Sequence, residues 1–420
     1  MRRLISPSVT GGTVSAIASK SVAHRLLICA AFAKGESRIR CEEINEDISA
    51  TVRCLTALGA RITREAPFYR VVPVSELPSD PSLDCGESGS TLRFLVPVVF
   101  ALGIGASFQM AGRLPHRPLS PLREELERHG ASLSPCGSNP LCLRGAMKET
   151  NFSMVGNVSS QFISGLLFAL ALSGSVGSVT IEGPLESSPY LDLTVDALGQ
   201  FGVAVHRRED RFEILEPPTL ISPGNLSVEG DWSGAAFPLS LGALGQKPVT
   251  VTRLSSLSHQ GDRAILSLLR RFGAQVCEEV DSVTVYPSPL RGISIDASQI
   301  PDLVPILATV ASVAEGRTVI HHASRLRLKE SDRLRAVATA LNGLGASIRE
   351  TEDGLIIDGV PSLTGGEADA FGDHRIAMSV AVASVRCKNP VLLTGAEVTA
   401  KSYPSFWQDI LALGMSCPQA

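Results

Sequence analysis

Positively charged side chains stand at the predicted starts of several helices, where most sequences avoid them. Lys20 and Arg25 belong to the first turns of one apolar stretch, and His374 and Arg375 open another. The N-terminus of a helix carries partial positive charge, so Asp or Glu is the usual residue there. Further cations at such places are Arg117 before a proline, Lys329 and Arg333 four residues apart on one predicted helix face, and Lys401 before a last helix. Together they indicate a ligand with several negative charges.

Hydroxyl groups that suit the same ligand stand at other predicted helix starts. Ser159 and Ser160 precede Gln161, and Ser187 precedes Ser188. A serine at such a place either donates to a phosphate or caps the helix, and capping contributes about 1 kcal/mol. Because neighbouring serines can take one role each, we expect both capping and ligand binding.

Carboxylates supply groups for proton transfer. Asp302 follows a proline among apolar residues, where it either caps a helix or has a pKa perturbed by burial. Glu330 adjoins Lys329, and Asp373 adjoins His374, so each carboxylate could hold a cation or move a proton. The sequence shows no convincing metal-ligand spacing, no phosphate-binding P-loop and no dinucleotide glycine motif. We therefore expect chemistry without a metal or cofactor.

One short sequence motif occurs six times along the chain. Each copy places an apolar residue four positions before a glycine, and a strand-like run follows; the glycines are Gly59, Gly130, Gly202, Gly273, Gly345 and Gly414. They lie 71, 72, 71, 72 and 69 residues apart. This motif is typical of a helix that ends in a left-handed glycine and leads into a strand. The sequence therefore predicts a sixfold α/β repeat.

Each repeat also contains a second predicted helix that is apolar on all faces and therefore buried. The polar starts of these helices are Lys20-Ser21, Ser88-Gly89-Ser90, Ser159-Ser160-Gln161, Asp231-Trp232-Ser233, Pro301-Asp302 and Asp373-His374-Arg375. The stretch 94–112 has no charge over 19 residues and is long enough to span a membrane. Its proline and glycines instead favour a buried helix, a turn and a strand.

Length and repeat number predict two domains. A chain of 420 residues exceeds what one hydrophobic core usually serves, so three repeats in each domain is the natural division. A polar, proline-rich stretch places one boundary near residue 228, and a second is expected before Ser19. The expected domains are 19–228, and 1–18 together with 229–420.

Composition limits the partners and the compartment. The net charge of −4 gives no general attraction to nucleic acid or to an anionic membrane. The nine cysteines include no Cys-x-x-Cys pair, and no signal peptide is visible at the start. We expect reduced thiols and a cytoplasmic protein.

Nine motifs in order resemble those of the 5-enolpyruvylshikimate-3-phosphate synthase family of enolpyruvyl transferases, and the resemblance runs from about Ser19 to Trp407. They are Ser19-Lys20-Ser21 with Arg25, Gly89-Ser90-Thr91-Leu92-Arg93, Arg117-Pro118-Leu119, Ser159-Ser160-Gln161, Ser187-Ser188-Pro189-Tyr190, Pro301-Asp302, Lys329-Glu330-Ser331-Asp332-Arg333, Gly372-Asp373-His374-Arg375 and Lys401-Ser402-Tyr403-Pro404. The resemblance implies an α/β (α+β) fold, a two-domain inside-out α/β barrel that closes on its substrates. It also implies transfer of the enolpyruvyl group of phosphoenolpyruvate to the 5-hydroxyl of shikimate 3-phosphate, with release of phosphate.

The resemblance further implies roles for individual residues. Catalytic positions are Asp302, Lys329, Glu330, Lys20 and His374, with Glu330 a candidate proton donor to the methylene carbon. Shikimate 3-phosphate would be bound by Lys20, Ser21, Arg25, Ser159, Ser160, Gln161, Ser187, Asp302 and Lys329. Phosphoenolpyruvate would be bound by Lys20, Gly89, Arg117, Gln161, Arg333, Arg375 and Lys401. The resemblance implies no metal or cofactor, and a monomer is expected.

Three residues depart from the family pattern. Glu87 and Arg325 stand where members often have Asn, and Ala396 replaces a frequent Asp. We expect these changes to tune binding without changing the reaction. Gly89 matches members on which glyphosate competes effectively, so we expect glyphosate to inhibit.

Two alternative functions remain open from the sequence. The related carboxyvinyltransferase acting on UDP-N-acetylglucosamine usually has Lys-Asn in place of Lys20-Ser21, and a loop cysteine in place of Arg117. A noncatalytic clamp that encircles DNA also uses sixfold α/β repeats, but it should present basic residues on exposed helix faces. Cations at the starts of buried helices and a negative net charge favour the enzyme.

Overall fold

The computed structural model describes residues 1–419. The chain forms two compact units, Ala18–Val228 and the remainder, which joins Met1–Ile17 to the chain from Glu229 onward. We call them the N-terminal unit and the C-terminal unit. The chain begins with two strands of the C-terminal unit, β1 (Arg2–Ile5) and β2 (Gly12–Ser15).

The N-terminal unit contains three repeats. Its elements are α1 (Lys20–Phe32), β3 (Ser37–Arg40), α2 (Glu46–Ala57), β4 (Arg61–Glu65), β5 (Phe68–Val72), β6 (Ser82–Asp84), α3 (Gly89–Ala101), β7 (Ala106–Gln109), α4 (Leu122–Arg128), β8 (Ser132–Leu133), β9 (Leu141–Arg144), β10 (Asn151–Val155), α5 (Ser160–Ser173), β11 (Gly177–Glu182), α6 (Pro189–Gln200), β12 (His206–Arg207), β13 (Arg211–Ile214) and β14 (Asn225–Ser227). They form sheets of order β14-β3-β5-β4, β6-β7-β9-β8 and β10-β11-β13-β12.

The C-terminal unit repeats this plan. Its further elements are α7 (Trp232–Leu244), β15 (Val249–Thr252), α8 (Ile265–Phe272), β16 (Gln275–Glu278), β17 (Ser282–Tyr286), β18 (Ser294–Asp296), α9 (Val304–Ala311), β19 (Arg317–His321), α10 (Arg333–Gly343), β20 (Ser347–Glu350), β21 (Leu355–Asp358), β22 (Gly366–Asp369), α11 (His374–Ala383), β23 (Val391–Thr394) and α12 (Phe406–Ala412). The sheets have the orders β16-β17-β15-β2, β18-β19-β21-β20 and β1-β23-β22.

Five of the six sheets share one complete pairing pattern, and the sixth has part of it. In the first sheet of the N-terminal unit, β14 pairs with β3 in parallel, β3 pairs with β5 antiparallel, and β5 forms a hairpin with β4. Five sheets are complete in this way. In the sixth, β1 supplies the antiparallel neighbour of β23, and the residues after Gly414 add only isolated bridges, Arg3 to Gln419 and Ser6 to Ser416. A regular strand after that glycine was expected, and that part of the prediction is wrong.

The apolar helices form the core of each unit, and the sheets surround them. In the N-terminal unit α1, α3 and α5 are buried over most of their length, and α3 packs along α5. In the C-terminal unit α7, α9 and α11 take the same place. The strands alternate between buried and more exposed residues, as strands with one face on a core do. Helices inside and sheets outside give the expected inside-out α/β barrel.

The six repeat glycines end helices as the sequence predicts. Their φ angles lie between +84° and +109°. In every repeat the backbone N–H of the residue after the glycine donates to the carbonyl of the apolar residue that begins the motif, at 2.9–3.1 Å. This bond closes the helix and leads the chain into the next segment.

Gly59→Ala is expected to lower the free energy of unfolding by about 1–3 kcal/mol. Gly59 has a φ of +104°, and an added Cβ would lie 2.6 Å from the Glu76 carbonyl oxygen. Gly199→Ala is the matched control, because Gly199 lies in α6 with nothing within 4 Å of an added Cβ. The control should raise stability by about 0.4–1 kcal/mol. Urea unfolding of both variants checks the pair; equal effects would contradict the proposed strain.

Some expected helix starts are wrong. Arg117 follows a 3₁₀ turn, and α4 begins only at Leu122. Lys329 follows a 3₁₀ turn over Ser324–Leu328, whereas α10 begins at Arg333, so these two cations do not share a helix face. The cause is Asp332, whose carboxylate accepts the Arg335 N–H and fixes the start of the helix after itself.

Two further expectations concern the apolar stretch and the cysteines. Residues 94–112 form the greater part of α3, a turn and β7, as expected. Across residues 1–419, the structure contains no helix with the length and apolar character that crossing a membrane requires. None of the nine cysteines forms a disulfide within this described range.

Candidate active site

Arg333 is the buried centre of a charge cluster in the C-terminal unit. Its Nη1 donates to Asp302 Oδ1 at 3.0 Å, its Nη2 to Glu330 Oε2 at 2.7 Å, and its Nε to Asp373 Oδ2 at 2.9 Å. Burial alone would lower the pKa of Arg333, but the three carboxylates outweigh burial and raise it. Arg333 is therefore a permanent cation that draws together carboxylates from three parts of the sequence.

Asp302 binds cations and caps no helix, which decides between the two roles left open by the sequence. It lies in a 3₁₀ turn before α9, and its Oδ2 accepts a hydrogen bond from Arg375 Nη2 at 3.0 Å. Lys329 Nζ lies 3.8 Å from Asp302 Oδ1. Burial would raise the pKa of Asp302, but Arg375, Lys329 and Arg333 hold it well below its usual value. Asp302 is thus an ionised acceptor.

Lys329 is a member of this cluster whose pKa is shifted toward neutral pH. Burial lowers its pKa to about 8, against the opposing effect of Asp302. Its side chain remains 28% exposed, so a ligand can reach it. A lysine with such a pKa can both bind an anion and exchange a proton. Glu330, the next residue, lies with its Oε1 4.0 Å from Lys401 Nζ, which brings Lys401 to the same cluster.

The start of α11 supplies the remaining members. Asp373 caps this helix by accepting the Arg375 N–H at 3.0 Å, and it also accepts from Ser331 Oγ at 3.0 Å. His374 is buried, with its Nδ1 3.9 Å from Asp373 Oδ1. Burial acts to raise the pKa of Asp373, but Arg333 and His374 lower it. All seven residues predicted in this unit therefore belong to one connected set, with Arg333 at its centre.

Asp262 is a buried carboxylate next to this cluster that carried no signal in the sequence. Its Oδ2 accepts a hydrogen bond from Ser233, while its Oδ1 has no hydrogen-bond partner among residues 1–419. Burial and the negative charge of Asp302 raise its pKa to about 7, and Arg375 opposes them. Sequence motifs do not indicate such a residue, because its burial depends on packing.

Asp262→Asn is expected to stabilise the protein at pH 8 by about 1–3 kcal/mol. The folded pKa of about 7 lies above the ordinary value of 3.8, so folding with a neutral carboxyl is favoured in acid. That advantage is lost as the pH rises from about 4 through 7. The difference in unfolding free energy between the variant and the natural protein should therefore shrink toward pH 4. Urea unfolding at several pH values measures it; a difference that is constant with pH would contradict the shift.

In the N-terminal unit, Lys20 opens α1 and is held by a carboxylate. Its Nζ lies 2.9 Å from Asp47 Oδ2, and both side chains are mostly buried. Asp47 belongs to the first turn of α2 and was missed, because Asp in a first turn is ordinary helix chemistry. The ion pair positions the ammonium at the start of α1.

Arg25 brings the starts of three helices together. Its Nη1 donates to the Ser21 carbonyl at 2.7 Å and its Nη2 to the Tyr190 carbonyl at 2.7 Å, near the starts of α1 and α6. Its Nε donates to Thr194 Oγ1 at 2.8 Å, and its Nη2 lies 3.5 Å from Ser164 Oγ in α5. Burial lowers the pKa of Arg25 to about 10. Arg25 therefore positions the helix starts that carry the predicted serines.

Those serines take different roles. Ser159 caps α5 by accepting the Gln161 N–H at 3.3 Å, and Ser160 is the first residue of the helix. Ser187 is buried with a φ of +56°, and Ser188 accepts a hydrogen bond from Arg207. Since α5 packs on α6, both serine segments lie at the starts of neighbouring helices. Capping is thus confirmed for Ser159, while ligand binding by the serines stays a prediction.

Gly89, Gln161 and Arg117 are linked through Arg93, which the motif contains but to which no role was given. Arg93 Nη1 donates to Gln161 Oε1 at 2.8 Å, and Gln161 Nε2 donates to Ser90 Oγ at 2.8 Å. A Cβ on Gly89 would lie 2.8 Å from Arg117 Nη1 and 3.1 Å from Arg93 Nη1. A larger residue at position 89 would therefore displace the two guanidinium groups that approach this backbone.

The structure also shows the contacts of the three residues that depart from the family pattern. Glu87 packs against Gly112, whose added Cβ would collide with it. Arg325 Nη2 donates to the Ser298 carbonyl at 2.8 Å. Ala396 is buried, and its carbonyl accepts from Trp407 Nε1 at 3.0 Å.

Each unit therefore presents cations and hydroxyl groups at the starts of buried helices, and the C-terminal unit adds carboxylates that can move protons. This combination defines an α/β repeat enzyme that acts on anionic small molecules. The family model of EPSP synthase, 3-phosphoshikimate 1-carboxyvinyltransferase, matches residues 6–410. The chain belongs to the EPSP synthase family.

Related proteins and solved structures support the same family. The 3-phosphoshikimate 1-carboxyvinyltransferase of Clostridium kluyveri is 42% identical over 98% of this chain and 96% of its own. That of Clostridium perfringens is 42% identical over 98% of both. An EPSP synthase structure from Acinetobacter baumannii superimposes with a TM-score of 0.83 at 26% identity and covers both chains fully. These findings confirm the predicted family, the fold and an enzyme of carboxyvinyl transfer, and they do not favour either alternative function.

Proposed function

We propose that the chain transfers the enolpyruvyl group of phosphoenolpyruvate to the 5-hydroxyl of shikimate 3-phosphate, giving 5-enolpyruvylshikimate 3-phosphate and phosphate. The observation that carries this proposal is the cluster of Asp302, Lys329 and Glu330 around Arg333. The reaction needs an acceptor for the hydroxyl proton and a donor for the methylene carbon. An ionised carboxylate beside a lysine with a pKa of about 8 suits the first need.

The proposed steps balance without a cofactor. Asp302, next to Lys329, accepts the proton as the 5-hydroxyl oxygen bonds to C2 of phosphoenolpyruvate, and protonated Glu330 donates its proton to the methylene carbon. The tetrahedral intermediate then loses phosphate as its C–O bond breaks, the methyl group returns a proton to Glu330, and Asp302 passes its proton to the departing phosphate. The cations neutralise the charge of phosphate and carboxylate groups throughout. His374, buried beside Asp373, would hold the orientation of this cluster.

The substrates divide between two sets of residues in this proposal. Residues 19–228 would form the domain on the shikimate 3-phosphate side, through Lys20, Ser21, Arg25, Ser159, Ser160, Gln161 and Ser187. Residues 1–18 with 229–420 would form the domain on the phosphoenolpyruvate side, through Arg333, Arg375 and Lys401, aided by Lys20, Gly89, Arg117 and Gln161. Asp302 and Lys329 would also contact the acceptor. We further propose a cytoplasmic location, which fits cysteines that form no disulfide in the described range, and a monomer as the resemblance to the family implies.

Phosphate release tests the proposed reaction. The purified protein should release phosphate from phosphoenolpyruvate with shikimate 3-phosphate and not with UDP-N-acetylglucosamine. Lys20→Ala should abolish release, whereas Lys388→Ala, at an exposed lysine, should leave it unchanged. Release only with UDP-N-acetylglucosamine would transfer the assignment to that acceptor, and no release with either would overturn the proposal.

Gly89→Ala is expected to raise the KM for phosphoenolpyruvate by about 10- to 100-fold. The added methyl group would lie 2.8 Å from Arg117 Nη1, so the guanidinium must move away from its present position. We propose that glyphosate competes at the same place, so the variant should also resist glyphosate. Steady-state kinetics measure both effects, with Gly199→Ala as the control. An unchanged KM, or a natural enzyme that glyphosate does not inhibit, would contradict this placement.

A further inference from the structure

Two adjacent histidines and an aspartate come together on the C-terminal unit, and none of the three has a proposed role in catalysis. Asp296 ends β18 and His321 ends β19, and these two residues are direct partners across the parallel pair. His322 follows immediately. Asp296 and His322 are exposed, and His321 is half-buried. The three donor atoms, one from each side chain, all lie within 4.8 Å of one another.

The distances within this group match those around a metal ion. His322 Nδ1 lies 3.0 Å from Asp296 Oδ2 and 3.2 Å from His321 Nδ1. Zinc bonds to nitrogen and carboxylate oxygen are about 2.0–2.2 Å, which places neighbouring ligands of a tetrahedral site about 3.3 Å apart. The two distances therefore approach the edges of such a tetrahedron. The third pair of ligand atoms, on Asp296 and His321, also lies within 4.8 Å.

Hydrogen bonding alone accounts poorly for the convergence. A neutral imidazole has one N–H and one lone pair, so His322 Nδ1 can donate only one hydrogen toward its two acceptor neighbours. A nitrogen without that hydrogen would instead face a carboxylate oxygen with its lone pair. A divalent cation attracts all three electron pairs at once, and neutral imidazoles with a carboxylate are ligands that zinc prefers.

The surrounding backbone holds the ligands in place. Ser298 N–H donates to Asp296 Oδ1 at 2.9 Å, which leaves Oδ2 directed to the histidines. His322 has a φ of +56°, and its own N–H donates to Asp353 Oδ2 at 3.1 Å. Such outer contacts orient ligands before a metal binds. A non-glycine residue at positive φ is costly and persists where the surroundings require it.

We propose that Asp296, His321 and His322 form a binding site for one zinc ion or a similar divalent transition metal, with water completing the coordination. The site is separate from the proposed reaction, which needs no metal. Its ligands precede two catalytic segments, since Asp296 stands six residues before Asp302 and His322 seven before Lys329. Arg325 Nη2 joins these segments by donating to the Ser298 carbonyl at 2.8 Å. A metal ion would therefore connect the starts of both segments and limit their relative movement.

Calorimetric titration of the metal-free, full-length protein with Zn²⁺ tests this proposal. The natural protein and the control His206→Asn, at an exposed histidine of the N-terminal unit, should each bind one Zn²⁺. His322→Asn and Asp296→Asn should weaken binding at least about tenfold. Asparagine at position 322 tolerates a left-handed backbone, so it removes the imidazole with little strain. If His322→Asn fails to fold, Asp296→Asn at an exposed strand end gives the answer.

Cobalt provides an independent readout. Co²⁺ in place of Zn²⁺ should give visible absorption typical of nitrogen and oxygen ligands, and it should disappear in His322→Asn. A thiolate-to-cobalt charge-transfer band would assign binding to the cysteines and overturn the proposal. Equal zinc affinity in all four proteins, or no binding to the natural protein, would do the same.

Discussion

Arg333→Met is expected to lower the free energy of unfolding by about 3–5 kcal/mol, the range found when one partner of a buried ion pair is removed. The guanidinium of Arg333 is the shared partner of Asp302, Glu330 and Asp373. Without it, three carboxylates remain close together, and the side chain of Asp373 is fully buried. Their repulsion and desolvation would oppose folding. Urea denaturation, followed by circular dichroism, measures the change.

Arg317→Met is the matched control for this variant. Arg317 also makes a bidentate pair, from Nε and Nη2 to the two oxygens of Asp358, at 2.7 and 3.2 Å. This pair is largely exposed, so its removal should change stability by less than about 1 kcal/mol. Equal losses in the two variants would contradict the view that burial and shared charge make Arg333 important.

Asp302→Asn is expected to reduce kcat by about 10²- to 10⁴-fold, the contribution usual for a general base. The amide keeps the size of the side chain and can still accept from Arg375, but it cannot take a proton. Phosphate release at saturating substrate measures kcat. Thermal unfolding of the variant shows whether the fold persists, since three cations, Lys329, Arg333 and Arg375, lose part of their charge partner.

Asp358→Asn serves as the control for Asp302→Asn. The two carboxylates are both paired with arginine, but Asp358 ends β21 in an exposed pair. Its replacement should change kcat less than about twofold. A kcat for Asp302→Asn within tenfold of the natural enzyme would exclude a direct role in proton transfer.

The repeat and its helix ends could be predicted because they depend on short-range chemistry. A glycine is needed where φ is positive, and the apolar residue before it accepts the closing hydrogen bond, as Leu55 does from Ala60 N–H. The buried helices follow in the same way from runs of apolar residues such as 26–32. These patterns are complete within five to fifteen residues of sequence, so no knowledge of packing is required.

The partners of the charged residues could not be predicted to the same degree. Most partners of Arg25 and Arg333 lie 31 to 169 residues away, and only packing determines which carboxylate, hydroxyl or carbonyl is reached. Asp47, Arg93 and Asp262 were missed for that reason. Lys329 was placed on the helix of Arg333 because its spacing of four fits a helix. The capping role of Asp332 overrides that spacing.

The position of β1 and β2 bears on the order in which the protein folds during synthesis. The N-terminal unit is continuous in sequence and can fold once residue 228 has left the ribosome. The first strands, in contrast, pair with β15 and β23, and Arg2 faces Thr394. At about 5–20 residues per second, β1 waits roughly 20–80 s for its partner. We therefore expect the N-terminal unit to fold first, while the opening segment stays exposed to chaperones until the last repeat is made.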